Sequence, residues 1–217
     1  MSDERDLAQA KDTVILVHGL WMPPFVLLPL RYRLIRRGFA VRLFSYPSMR
    51  GSLARNAQAL AQFVSGTAGA RIHLVGHSLG GLVVLTVLAR HADLRLRRAV
   101  LMGSPAAGCH CASVLAHIPG LSALLGRSLK DWLALPRPRL PASTKIGVIA
   151  GSRSLGLGRL IPGLPRPNDG VVAVAETRLP EAGDFVTLGV SHSEMLVSRA
   201  CADQVAAFLR TGGFVHD

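Results

Sequence analysis

Short runs of aliphatic and β-branched residues recur along this chain, and between them apolar positions return every three or four residues. The runs are Thr13 to Val17 (TVILV), Ala40 to Tyr46 (AVRLFSY), Arg71 to Gly76 (RIHLVG), Arg98 to Gly103 (RAVLMG), Lys145 to Ala150 (KIGVIA) and Phe185 to Leu188 (FVTL). Near-continuous apolarity over four to seven residues predicts strands buried on both faces. The longer intervals predict helices: 25 to 37, closed by Gly38; Gly51-Ser52 to about Val64; the stretch after Gly81 to about His91; and Glu194 to Leu209. Strands alternating with helices of this length predict an α/β class, with a mainly parallel sheet covered by helices on both faces.

Two stretches break the alternation. Residues 104–143 carry Pro105, Pro119, Pro136, Pro138 and Pro141 among apolar segments, and read as a short helical insertion over the carboxyl edge of the sheet. Residues 151–168 are a second long loop, rich in glycine and proline. At 217 residues the chain fits a single domain spanning 1–217, with the insertion as a cap inside it.

The chemistry concentrates where the third run meets a helix, at Gly76-His77-Ser78-Leu79-Gly80. A serine at the tip of a tight strand-to-helix turn exposes its hydroxyl, and glycines two positions away on either side leave room for strand and helix to close around it. Gly81 then lets the helix pack close to the sheet. With 22 glycines in the chain the pentapeptide alone says little. Its weight comes from the β-favouring residues before it and the proline-free helical pattern after it.

A serine hydroxyl attacks only when a base takes its proton, and an imidazole does so when a third group fixes its tautomer. One recurring chain order is Ser, then Asp or Glu, then His. His192, in Gly189-Val190-Ser191-His192-Ser193-Glu194, lies between the last strand and the last helix; His216 is penultimate. Of the acids between Ser78 and His192, Asp169 in Pro167-Asn168-Asp169-Gly170 follows the strand at 145–150 and is favoured, with Glu176 and Asp184 as alternatives. The N–H of Leu79 opens the elbow helix, and Gly19 lets the loop after the first strand turn the Leu20 N–H inward. These two are the expected oxyanion donors. His18 reads as a prop for that loop, and Trp21 and His77 as lining of the substrate pocket.

Composition narrows the setting. Hydrophobic residues make up 49% and charged residues 18%, an ordinary globular balance. No run is long and apolar enough to suggest a membrane span, and the charged start MSDERDLAQAKD has no secretory pattern, so a cytoplasmic location is expected. Cys109, Cys111 and Cys201 read as free thiols, and the spacing around Cys109-His110-Cys111 does not suit a metal. The net charge of +12 is almost all arginine, with lysine only at 11, 130 and 145. Such a field suits peripheral contact with an anionic membrane surface. Arg31, Arg33, Arg36 and Arg37 lack aromatic interleaving and read as a solvated helix face, so no nucleic-acid partner is expected.

VILVHGLW, GHSLGG, PNDGVV and GVSHSEML, in this order, resemble the α/β-hydrolase superfamily, in particular its small bacterial lipases and esterases. The resemblance spans about residues 13–210. It implies an α/β-hydrolase fold with Ser78 as nucleophile, His192 as base, Asp169 as acid and Leu20 and Leu79 as oxyanion donors. It further implies hydrolysis of a small-molecule carboxylic ester with an apolar acyl group, without a cofactor. Acyltransfer, thioester or amide cleavage would use the same groups, and a non-catalytic binding protein on this fold is the rival class. The paired aspartates that would hold calcium near the catalytic histidine of secreted lipases have no counterpart around His192.

Overall fold

The structure is a computed structural model that describes residues 12–91, 93, 95–141 and 144–216. Six strands form one sheet: β1 (Thr13–Val17), β2 (Ala40–Phe44), β3 (Ile72–His77), β4 (Leu96–Met102), β5 (Lys145–Gly151) and β6 (Asp184–Leu188). Their order is β2-β1-β3-β4-β5-β6, and every pairing is parallel. The helices are α1 (Leu28–Ile35), α2 (Leu53–Ser65), α3 (Leu79–Arg90), α4 (His110–His117), α5 (Gly126–Ala134) and α6 (Arg199–Thr211).

Side chains alternate across each strand and so supply two cores. Ile15, Val17, Ile72, Leu74, Ala99 and Leu101 face α2 and α3. Val14, Leu16, Val75, Val100 and Met102 face α1 and α6. Helix α3 is apolar almost all round, with ten consecutive buried residues from Leu79 to Leu88. It lies between the sheet and other helices.

The helical insertion at 104–143 comprises α4, a 3-10 turn at Leu121–Leu125, and α5. Helix α5 is fastened to α2: the Asp131 carboxylate accepts from Leu53 N–H at 2.9 Å, and Asn56 Nδ2 donates to Ser128 Oγ at 2.8 Å. The Ser128 hydroxyl in turn donates to the Gly51 carbonyl at 2.9 Å. Asp131 thereby satisfies a free N–H at the start of α2 and places negative charge at its positive end.

Three expectations need correction. The span expected as one helix over 25–37 is a 3-10 turn at Pro24–Leu27 followed by α1, which ends at Ile35. The final helix starts later than its apolar pattern suggests. Glu194–Leu196 form a 3-10 turn, and Ser198 caps α6 by accepting from Cys201 N–H at 3.3 Å. The arginine face of α1 is not simply solvated. Arg33 donates to the Val197 carbonyl at 3.1 Å, Arg37 pairs with Asp203, and Arg210 donates to the Arg37 carbonyl. These contacts staple α1 to α6.

Candidate active site

The loops that follow β1, β3, β4, β5 and β6 emerge side by side at the carboxyl edge, because those five strands are neighbours in the sheet. Ser78 follows β3 directly, as the residue before α3, with φ 53° and ψ −124°. A non-glycine residue in this conformation is strained and is held only when its surroundings leave no alternative. Here Ser78 N–H donates to the Met102 carbonyl at 2.9 Å, tying the turn to β4. A Cβ on Gly80 would collide with the carbonyl oxygens of Val17 and His18, one on Gly76 with the backbone of Gly81, and one on Gly81 with Ser104. The glycines are therefore a packing requirement of the elbow.

Asp169 and His192 meet at the same edge of the sheet. His192 Nδ1–H donates to Asp169 Oδ2 at 2.7 Å, and His192 N–H donates to the Asp169 carbonyl at 2.8 Å. The other carboxylate oxygen, Oδ1, accepts from the N–H groups of Val171 (2.9 Å) and Val172 (2.7 Å). Asp169 is 1% and His192 6% exposed, so both the pair and its orientation are fixed by burial. With Nδ1 carrying the proton, Nε2 is left as the basic nitrogen. Gly103, after β4 with φ 58°, makes room: a Cβ there would lie 3.0 Å from Asp169 Oδ2 and 3.2 Å from His192 Nδ1.

The carboxylate of Glu194 braces the loop that carries His192. It accepts from Ser191 N–H at 3.1 Å and pairs with Arg153 at 3.1 Å. Of the alternative acids, Glu176 has both oxygens engaged elsewhere: one accepts from His110 N–H at the start of α4, the other from Ala173 N–H at 2.8 Å. Asp184, in β6, accepts from Phe214 N–H and Phe185 N–H and pairs with His216 at 2.9 Å.

On the other side of Ser78 lies the loop after β1. A Cβ on Gly19 would come within 3.1 Å of Ser78 Cβ and 3.2 Å of His77 Nδ1, so this loop sits close over the serine and leaves little room for a side chain. His18 is 1% exposed and stacks on Tyr46 at 4.5 Å between ring centroids. Its Nδ1–H donates to the Gly19 carbonyl at 2.9 Å, and Tyr46 Oη–H donates to the His18 carbonyl at 2.7 Å. Burial lowers the His18 pKa and keeps the ring neutral. Leu20 is half-buried and Trp21, at φ 59°, is 52% exposed. Leu79 is the first residue of α3, so its N–H has no acceptor within the helix.

His77, read from the sequence as pocket lining, is instead 1% exposed. Its Nε2–H donates to the His192 carbonyl at 3.0 Å, and the two rings lie 4.7 Å apart. Burial pushes its pKa down to about 3, so it stays neutral. The sequence offered no signal for this contact, since the partners are 115 residues apart.

Among the described residues no group of three His, Cys, Asp or Glu could hold a metal ion. His110 Nε2–H donates to the Pro162 carbonyl at 2.8 Å and His117 Nδ1–H to the Ser113 carbonyl at 2.7 Å. Burial raises the thiol pKa of Cys109 to about 12 and of Cys111 to about 11, so neither is a ready nucleophile. Among the described residues no helix is long and apolar enough to cross a membrane.

Solved structures with this architecture include a metagenomic carboxyl esterase, MGS0156, 22% identical, with a TM-score of 0.65 over 84% of this chain. The chain spans only 65% of that esterase's length. The pyrethroid hydrolase PytH is 14% identical, with a TM-score of 0.66 over 94% of this chain and 98% of its own. Polyneuridine aldehyde esterase is 11% identical, with a TM-score of 0.62 over 92% of this chain and 99% of its own. At these identities the likeness is one of fold. No curated protein matches the chain. The family model described as "Alpha/beta hydrolase family" matches residues 14–211, nearly the whole sequence, and the chain belongs to that family.

Proposed function

We propose that this protein is a serine hydrolase that cleaves carboxylic esters of apolar acyl groups through an acyl-enzyme on Ser78. The observation that carries this reading is the buried Asp169–His192 pair at 2.7 Å, placed at the same sheet edge as a serine held at positive φ. In this reading His192 Nε2 takes the Ser78 proton as Oγ attacks the ester carbonyl. The same imidazolium then returns that proton to the departing alkoxide, and Asp169 stabilises the charge that His192 gains. The oxygen of the tetrahedral intermediate accepts from Leu20 N–H and Leu79 N–H, donors of a kind worth about 10²- to 10³-fold each in turnover. Water, activated by His192, then releases the acid.

Leu79 follows the serine and Leu20 and Trp21 belong to the loop close to it; their apolar character favours an uncharged acyl group. Three of the fold neighbours are named for ester or pyrethroid hydrolysis, which agrees with this class and leaves the natural ester to be found. Reaction with a fluorophosphonate probe tests the nucleophile: the wild type labels, and Ser78→Ala does not. Equal labelling of the variant would overturn the assignment. Hydrolysis of p-nitrophenyl esters of increasing chain length then measures acyl preference.

A further inference from the structure

The loop between β5 and Asp169 holds apolar side chains out in solvent. Leu155, Leu157 and Leu160 are 59%, 72% and 79% exposed. This loop is anchored at several points. Gly158 N–H donates to the Gly170 carbonyl at 2.8 Å, and Gly158 sits so close that a Cβ would lie 2.9 Å from Val171 Cα. Asn168 Nδ2 donates to the Pro165 carbonyl at 2.9 Å, and the His110 ring to that of Pro162 at 2.8 Å. A fixed loop that presents three leucines to water points to an apolar phase outside the protein.

Next to these leucines lies a cavity of about 310 Å³, lined by Ser154, Arg159, Ile161, Leu164, Arg166 and Asn168 among others. Arg159 and Arg166 are exposed, and among the described residues neither pairs with a carboxylate. A guanidinium presents a planar fork of donors that matches phosphate oxygens. We propose that this loop docks the protein on an anionic phospholipid bilayer, with the leucines entering the acyl boundary and a lipid phosphate seated between Arg159 and Arg166.

An apolar phase bordered by anionic phosphates is what a bilayer interface offers, and a soluble phosphate does not. A second copy of this chain, also at +12, would bring like charge to the same arginines. The net charge also draws the protein to an anionic surface from a distance. Asn168, in the cavity wall, is the residue before Asp169.

The test is co-sedimentation of the full-length protein with vesicles of phosphatidylcholine, alone or mixed with phosphatidylglycerol. The mixed vesicles bind and the neutral ones do not, and binding falls as salt rises. Arg159→Gln with Arg166→Gln weakens binding about tenfold or more, and Leu157→Ser with Leu160→Ser does likewise. Both double variants keep the wild-type melting temperature and hydrolysis of a water-soluble short-chain ester. Arg97→Gln with Lys145→Gln, an equal charge change in a basic cleft also lined by Arg71 and Arg98, leaves binding unchanged.

Equal binding to neutral vesicles overturns the proposal, as does a loss in the Arg97 and Lys145 double variant that matches the Arg159 and Arg166 pair. Binding of glycerol phosphate without any vesicle binding would make the cavity a soluble-anion site instead. Self-association abolished by the leucine variants, with no vesicle binding, would assign the loop to a second copy. Vesicle binding is read without catalysis, so it stands or falls separately from the esterase reading.

Discussion

His77 holds His192 from below: its Nε2–H donates to the His192 carbonyl at 3.0 Å, while its own Nδ1 is buried with no partner. The residue before the serine in the elbow thereby positions the base that the serine is proposed to use.

Two consequences follow from burying His77 neutral. Its folded pKa, about 3, lies below the ordinary value of 6.5. Between those values the unfolded chain binds a proton that the folded chain does not, so stability falls as pH drops through this window. The slope is about 1.4 kcal/mol per pH unit at most for this group. His18 and His73, whose pKa values are also lowered by burial, add to it. Urea unfolding at neutral pH and at about pH 5 measures the slope. His77→Gln, which keeps an amide donor and cannot titrate, flattens it. His77→Leu leaves a buried carbonyl unpaired, costs about 1–3 kcal/mol and lowers kcat more than KM, whereas His77→Gln recovers most of kcat.

Asp169 and Glu176 separate by what their oxygens do. Asp169→Asn cannot fix the His192 tautomer and lowers kcat by about 10⁴-fold, the loss expected for a triad acid. Glu176→Gln weakens the links to His110 N–H and Ala173 N–H. It lowers stability by about 1–2 kcal/mol and leaves kcat within a few-fold of wild type. Steady-state hydrolysis beside urea titration of both variants checks this; a large kcat loss in Glu176→Gln with Asp169→Asn intact would exchange their roles.

The six strands were legible because each is a short apolar run bounded by turn residues, and the elbow because its glycines are required by sterics that a sequence pattern records. Asp169 and His192 were singled out by chain order. That they meet is a fact of distance, and their catalytic roles are the proposal made above. His77 was misread because its partner is a backbone carbonyl in a distant loop, which no side-chain pattern encodes. The start of α6 was misplaced because apolar periodicity runs unbroken through Val197, and only the Ser198 cap fixes where helix begins. Arg33 and Arg37 were misread for a similar reason: their acceptors, the Val197 carbonyl and the Asp203 carboxylate, lie in the segment before α6 and on α6.

The second half of the insertion is not free to swing. With Asp131 bonded to Leu53 N–H, Ser128 bridging Asn56 and Gly51, and Trp132 only 5% exposed, opening α5 would break several buried polar links at once. Amide exchange in α5 is therefore as slow as in α2, to which it is fastened. Exchange in 118–124, where Ile118 and Leu124 are about 40% exposed, is faster. Asn56→Leu leaves the Ser128 hydroxyl short of a partner, lowers stability by about 1–3 kcal/mol and raises exchange in α5. Fast exchange across wild-type α5 would instead mark it as a mobile lid.

Gly103 gives the sharpest steric test of the Asp169–His192 pair. Its φ of 58° costs a non-glycine residue about 1–2 kcal/mol, which is a stability term. Beyond that, an added methyl would lie 3.0 Å from Asp169 Oδ2 and 3.2 Å from both His192 Nδ1 and Met195 Sδ. Those distances are tighter than ordinary contact, so the carboxylate and imidazole must give way by a few tenths of an ångström. Gly103→Ala is therefore expected to lower kcat/KM by about tenfold or more, since displacement of a catalytic group by a fraction of an ångström is costly, while Tm falls by only a few degrees. Gly38 is the matched control: it also has positive φ, at 92°, but open space around its Cβ position. Gly38→Ala carries the backbone strain alone, so a comparable kcat/KM loss there would show that strain, rather than crowding of the Asp169–His192 pair, slows the enzyme.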